Sequence, residues 1–369
     1  MKIERVELHH VSQQLVAPFR TSFGTQIERS CILVAVYSEG LVGWGECPAS
    51  IEPGYSYETI TTAWHILSDF LVPPVIGQEI SRPADVAKRF NEVRGHPMAK
   101  ASLENAVWDL LARAEGVPLS EKLGGQRDRV EVGVSIGIQP TVQALVDRVT
   151  EFVDKGYGRI KVKIEPGWEL EPLSAIRKQH PTIKLMADAN SAFSLDHAGL
   201  FQQMDPLNLL MIEQPLYYDD IFDHAKLQAQ VNTPICLDES IHSPHHARWA
   251  IELKACRIIN MKVSRVGGLT HAITIHNMCQ EAGIPLWCGG MLETGVGRAA
   301  NLHLSTMPNF KLPGDISATD RYYVEDVADP PFYLNKEDST ITVPTGPGIG
   351  VEVVMERVKK ARVKYNEFK

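Results

Sequence analysis

The chain has 369 residues, enough for a (β/α) barrel of roughly 200 to 250 residues plus one smaller domain. Its 37 Lys+Arg against 45 Asp+Glu give a net charge of −8 without a basic block, which argues against nucleic acid or anionic lipid as partner and for a small molecule. No stretch reaches the ~18 apolar residues of a membrane span, and the first twenty residues hold no apolar leader core, so a cytoplasmic protein with no membrane contact is expected.

Residues 2–49 alternate and are rich in β-branched side chains, with a turn at Ser38-Glu39-Gly40, and predict an antiparallel meander. Over 99–115, apolar residues recur at Leu103, Ala106, Val107, Leu110, Leu111 and Ala114, and Gly116 and Pro118 follow; this predicts an amphipathic helix with a C-cap. Near Val130 the pattern changes to strand and helix in alternation, and the boundary is placed near residue 126. The expected division is an α+β capping domain over 1–125 and a barrel over 126–323. Barrel strands are expected at 130–138, 159–164, 184–190, 209–215, 235–240, 258–263 and 284–290. An eighth, at 311–316, contains Pro313 and Gly314 and is inferred from barrel closure. The tail, 324–369, carries a short strand at 341–343 and a charged helix from 351 onward, and is expected to return to the capping domain and complete it.

Five charged residues recur in the middle of the chain: Lys163, Asp188, Glu213, Asp238 and Lys262, with gaps of 25, 25, 25 and 24 residues. That period is one strand plus one helix. Each residue lies near the end of an apolar run, where a (β/α) barrel builds its active site. Side chains alternate along a strand, so Lys161 shares a face with Lys163, Asn190 with Asp188, and Asn260 with Lys262. The carboxylates come from strands three, four and five. The lysines come from strands two and six and so face each other across the ring.

Asp188, Glu213 and Asp238 form a hard oxygen donor set suited to Mg²⁺, for which Mn²⁺ could substitute. A divalent ion between two opposed amines suits removal of a proton from carbon next to a carboxylate, with the enediolate charge taken up by the metal. An ordinary lysine, near pKa 10.4, is mostly protonated at neutral pH, and lowering it by ~3 units needs about 4 kcal/mol. Lys161 supplies a like charge beside Lys163 for this purpose. Lys163 is therefore the expected general base, Lys161 its electrostatic partner, and Lys262 the acid, base or cation of the opposite face. Asn190 either supports the metal site or caps the following helix. Strand alternation directs Glu239 away from the metal. The pairs His9-His10 and His245-His246 read as surface or helix-start residues. The six cysteines lack a Cys-x-x-Cys pair, and Cys236 and Cys288 read as packed hydrophobes. Phe19 and Phe23 flank Arg20 and read either as a lid or as core packing.

The segments Lys161-Val162-Lys163, Asp188-Ala189-Asn190, Glu213-Gln214-Pro215, Asp238-Glu239-Ser240 and Lys262-Val263-Ser264-Arg265-Val266-Gly267-Gly268 closely resemble the enolase superfamily, in its muconate-lactonizing-enzyme-like group. The resemblance covers essentially the whole chain. It implies an α/β fold, a modified TIM barrel (β/α)₇β under an α+β capping domain formed by both chain ends. Within the group, Pro18-Phe19-Arg20-Thr21-Ser22-Phe23-Gly24, Gly289-Gly290-Met291-Leu292-Glu293-Thr294-Gly295 and Gly314-Asp315-Ile316-Ser317 look most like o-succinylbenzoate synthases that also racemise N-succinylamino acids. That likeness implies a lyase of menaquinone biosynthesis, an isomerase, or both, acting on a small carboxylate. It further implies that the loop with Phe19 and Phe23 closes over substrate, that Ser135 and the Gly290 and Met291 backbone lie near the succinyl tail, and that Arg265 belongs to the racemase-type arrangement. Relatives are commonly homo-oligomers, and the same is expected here.

Rival readings within the superfamily are a muconate cycloisomerase or an epimerase of amino acid derivatives. Dipeptide epimerases carry Asp-x-Asp near the eighth strand, whereas Gly314-Asp315-Ile316-Ser317 lacks the second acid. Mandelate racemases place a histidine where this chain has Lys262. A noncatalytic binding barrel is disfavoured because both lysines are intact.

Overall fold

The computed structural model describes residues 1–21 and 24–369. Strands β1 (Arg5–Thr21), β2 (Gly24–Ser38) and β3 (Leu41–Cys47) form the meander. The β2–β3 hairpin turns on Glu39 and Gly40, at φ of 52° and 79°, the positive values that a two-residue turn between twisted strands requires. The charged tail differs from expectation. Its helix, Met355–Ala361, has 7 residues, and the chain then extends as strand Arg362–Phe368, pairing antiparallel with β1. The exposed edge of β1 offers unpaired backbone groups that this segment satisfies. One consequence concerns His9. Expected at the surface, it is fully buried because β1 is an interior strand; its ring lies between Trp44 and Tyr365, and its Nε2 is 3.1 Å from Glu7.

Helix Pro97–Glu115 lies directly on β3. Pro97 occupies its first turn, where a missing N–H costs nothing, and Gly116 ends it at φ 71°. A Cβ on Gly43 would sit 2.1 Å from the Ala106 carbonyl oxygen, and one on Gly45 would sit 2.0 Å from that of Ser102. Glycine is thus required for sheet and helix to meet backbone to backbone.

Seven parallel strands follow around one sheet in chain order: Val134–Ile136, Arg159–Lys163, Lys184–Asp188, Ile212–Glu213, Ile235–Leu237, Ile258–Met261 and Leu286–Cys288. The expected first strand, 130–138, divides in two. Arg129–Glu131 pairs antiparallel with Thr340–Thr342, and only Val134–Ile136 joins the barrel. Gly133 stands between them, where a Cβ would meet the Arg159 guanidinium at 2.4 Å.

The eighth position is filled without a regular strand. The Lys311 amide donates to Leu286 O (3.0 Å) and the Asp315 amide to Cys288 O (2.8 Å), while Gly133 donates to Gly314 O (2.8 Å) on the other side. The ring therefore closes, and Pro313, which has no N–H, interrupts the ladder. Inside, Met186, Met211, Cys236, Ile258 and Trp287 pack as a separate apolar cluster. All six cysteines are buried and free. Among the described residues, no helix is long and apolar enough to cross a membrane.

Candidate active site

Strand register assembles the charged residues. Lys163, Asp188 and Glu213 are direct neighbours across strands two, three and four. Asp238 follows the fifth strand, and Lys262 is the N-cap residue of the short helix Val263–Val266 after the sixth. Together with Lys161 these six residues are at most 7 % exposed. Charges buried to this degree must be paired, and they are.

Lys161 Nζ lies 3.0 Å from Glu213, 3.2 Å from Asp188 and 2.5 Å from Asp315. It also stands 4.9 Å from the ring centre of Trp287, which forms the floor beneath it. Lys163 Nζ donates to Asp188 Oδ2 (2.6 Å) and Asn190 Oδ1 (2.7 Å). Lys262 Nζ donates to Asp238 Oδ2 (2.8 Å) and to the Tyr55 hydroxyl (3.0 Å), which itself reaches Asp238 Oδ1 at 3.1 Å.

The shifts follow from these contacts. Burial opposes charge on Lys161, but Asp315, Glu213 and Asp188 outweigh it and hold the ammonium protonated well above the usual lysine range. The like charge expected to act on Lys163 is therefore largely offset by three carboxylates. For Lys262 burial is likewise outweighed, by Tyr55, Glu213 and Glu239, and the net shift is upward. Burial raises Asp188, yet Lys163 and Lys161 pull it below the usual carboxylate range. Glu213 is pushed up by burial and by Asp188.

Among the described residues, no three His, Cys, Asp or Glu side chains are gathered in a way that could hold a metal ion. The lysines lie between the carboxylates instead. The donor set nevertheless fits a hard divalent cation: Asp188, Glu213 and Asp238 offer only oxygen, and the ionised form of Glu213 is one that added positive charge would favour.

A pocket partly open to solvent lies over the lysines. Its walls include Phe19, Ser135, Asn190, Gly290 and Met291 together with Lys161, Lys163 and Lys262. The buried Ser135 Oγ has no hydrogen-bond partner among the described residues. Phe23 lies outside the described residues. Arg265 sits behind the site: its guanidinium contacts Asp238, donates to Tyr55 Oη (3.2 Å), and is fixed by the carbonyls of Ile241 (2.8 Å) and Asn260 (2.6 Å). Asn190 bridges Lys163 and Glu239, since its Oδ1 accepts from Lys163 and its Nδ2 donates to Glu239 Oε1 at 2.9 Å.

That last bond corrects one expectation. Glu239 is not turned away. The fifth strand ends at Leu237, so strand alternation no longer governs the residues beyond it, and Glu239 is buried against the site with its carboxyl raised to about 7 by burial and by Asp188. Sequence reasoning also missed Tyr55, Arg159 and Asp315. Tyr55 arrives from the capping domain with no periodic signal. Asp315 joins Lys161 to the fully buried Arg159, 2.6 Å from its Nη1; its place within a closure segment without strand pattern concealed this, although its motif was visible.

A ring of parallel strands with acids and lysines at one end defines a class of barrel enzyme. Residues 144–357 match the family described as enolase C-terminal domain-like, and residues 3–124 match the mandelate racemase / muconate lactonizing enzyme N-terminal domain. The chain belongs to the enolase superfamily and is an enzyme of it. Members of that superfamily generally use a divalent metal. Among relatives, it is 50% identical to an o-succinylbenzoate synthase of Geobacillus stearothermophilus, across 100% of this chain and 97% of that one. It is 46% identical to an N-succinylamino acid racemase of Thermus thermophilus, across 98% of this chain and 97% of the other. A solved enolase superfamily member from Listeria innocua is 40% identical, superposes with a TM-score of 0.96, and is matched over 100% of this chain and 99% of its own.

Proposed function

We propose that this protein is an o-succinylbenzoate synthase that also racemises N-succinylamino acids, using Mg²⁺, with Mn²⁺ able to substitute. The observation that carries the reading is that Lys163 and Lys262, from opposite strands of the ring, line one pocket. Asp188, Glu213 and Asp238 would hold the cation, which when bound supplies positive charge to the carboxylate oxygens as the enediolate forms. Residues 1–125 with 324–369 would act as the cap and 126–323 as the catalytic barrel.

In dehydration, Lys163 as the neutral amine takes the α-proton of 2-succinyl-6-hydroxy-2,4-cyclohexadiene-1-carboxylate. The resulting ammonium returns a proton to the departing hydroxide, which leaves as water. Lys262 is suited to remain a cation, because Tyr55, Glu213 and Glu239 favour its charged form. In racemisation the lysines alternate, one removing the α-proton and the other delivering a proton to the opposite face. Ser135 Oγ, buried and without a hydrogen-bond partner among the described residues, supports a hydrogen bond to the acyl tail near Gly290 and Met291, with Phe19 on the wall of the same pocket. Arg265 and Asn190 position Asp238 and Lys163. Synthase activity would serve menaquinone biosynthesis in the cytoplasm, with the chain as a homo-oligomer.

The test is the Mg²⁺-dependent loss of diene absorbance on adding purified protein to the cyclohexadiene substrate. Rapid, chelator-sensitive loss that disappears in Lys163→Ala is expected. Undiminished turnover in that variant would refute the assignment of the base, and no turnover by metal-loaded protein would refute the synthase.

A further inference from the structure

Four arginines are buried among the described residues: Arg29, Arg159, Arg265 and Arg298. Three have a carboxylate partner, respectively Asp315 for Arg159, Asp238 for Arg265 and Asp326 for Arg298. Arg29 differs. It is 4 % exposed, yet its Nη1 donates to Ser50 Oγ (3.2 Å) and its Nη2 to the Pro48 carbonyl, and no carboxylate pairs with it among the described residues. Its Nε has no acceptor there. The neighbouring Glu28 turns toward Ser12, and Glu46 directs its oxygens to Thr294 and Gly297.

A guanidinium keeps its charge when buried, and neutral acceptors only partly replace the water it has lost. This one is also on the wall of the catalytic pocket, which it shares with Gln26, Ser50 and Leu292. Its charge acts on Tyr323, whose hydroxyl donates to the Leu292 carbonyl at 2.5 Å. A planar fork of donors in a pocket is suited to a carboxylate.

We propose that Arg29 binds a second carboxylate at the far end of the substrate's acyl tail, and so selects dianionic N-acyl substrates over those with a neutral tail. The proposal deepens the functional reading above and rests on it for the orientation of the substrate, with the α-carboxylate at the lysines. A succinyl tail carries such a group. Its primary amide, the succinamoyl tail, has nearly the same shape without the charge.

The experiment titrates Mg²⁺-loaded protein calorimetrically with N-succinylglycine and with N-succinamoylglycine. Wild type should bind the dianion at least thirtyfold more tightly. Arg29→Gln should reduce that ratio below threefold while changing amide binding less than threefold, and Arg29→Lys should keep a ratio above tenfold. Absence of a preference in wild type, or its persistence in Arg29→Gln, would overturn the proposal. If Arg29→Gln does not fold, the wild-type ratio and the Arg29→Lys ratio still decide. Exchange of the α-protons of N-succinylglycine into deuterated water is followed in parallel. Lack of exchange with an intact preference would refute the reaction and uphold Arg29 as an anion site.

Discussion

Replacing Asp315 with asparagine should destabilise the protein by about 3 to 5 kcal/mol, the usual cost of removing one partner from a buried ion pair. The two cations that Asp315 holds are unequally placed to survive its loss. Lys161 keeps Glu213 at 3.0 Å and Asp188 at 3.2 Å. Arg159, fully buried, keeps no carboxylate among the described residues: it keeps the carbonyls of Val134 at 3.5 Å, Pro313 at 3.2 Å and Gly314 at 2.5 Å, and the Trp287 ring, whose centre is 5.5 Å away. Nearly all the cost therefore falls on Arg159. Urea unfolding monitored by circular dichroism at neutral pH measures the loss. The double variant Arg159→Met with Asp315→Leu should recover most of it, because an apolar pair leaves no buried charge. Burial raises the Asp315 carboxyl, but Arg159 and Lys161 pull it net downward from 3.8. Its contribution is thus present above about pH 4 and is lost as pH falls through the lower folded-state value. A loss below about 1 kcal/mol in Asp315→Asn, or no recovery in the double variant, would refute this account of the site's foundation.

Glu46 has its carboxyl raised to about 7, by burial and by Glu293, from an unfolded value of 4.5. Between about pH 4.5 and 7 the unfolded chain releases this proton before the folded one does, so stability should fall by up to about 3 kcal/mol as pH rises and then level off. Glu46→Gln should lack that slope; urea midpoints across pH that run parallel in the two proteins would contradict it. Lys163→Ala and Lys262→Ala should each slow racemisation by about 10²- to 10⁴-fold. With one lysine removed, α-proton exchange should survive for one enantiomer only, a pattern read by proton NMR in deuterated water. Gly45→Ala should cost about 1 to 3 kcal/mol or more, since its Cβ would lie 2.0 Å from the Ser102 carbonyl; an unchanged melting temperature would show that helix Pro97–Glu115 can shift freely.

Period and residue type made the barrel legible. One strand plus one helix takes about 25 residues, and a ring of such units brings Lys163, Asp188, Glu213, Asp238 and Lys262 to the same end with the two lysines opposed. The helix after residue 96 was equally readable, because its apolar spacing and its terminal glycine are local properties. The eighth barrel position was not. Residues 310–315 are held by hydrogen bonds to both neighbours rather than by strand pattern, and Pro313 hides the closure from any local reading.

Polarity and alternation alone also could not decide which groups meet beyond the strands' ends. Glu239 falls where alternation has ceased. Tyr55 reaches Asp238 and Lys262 over separations of 183 and 207 residues. Asp315 meets Lys161 and Arg159 through barrel closure. The sequence by itself determined the charges, their period and the chemistry open to them. The tertiary structure decided which charge neutralises which, because in a buried site that depends on contacts of a few ångströms between segments far apart in the chain.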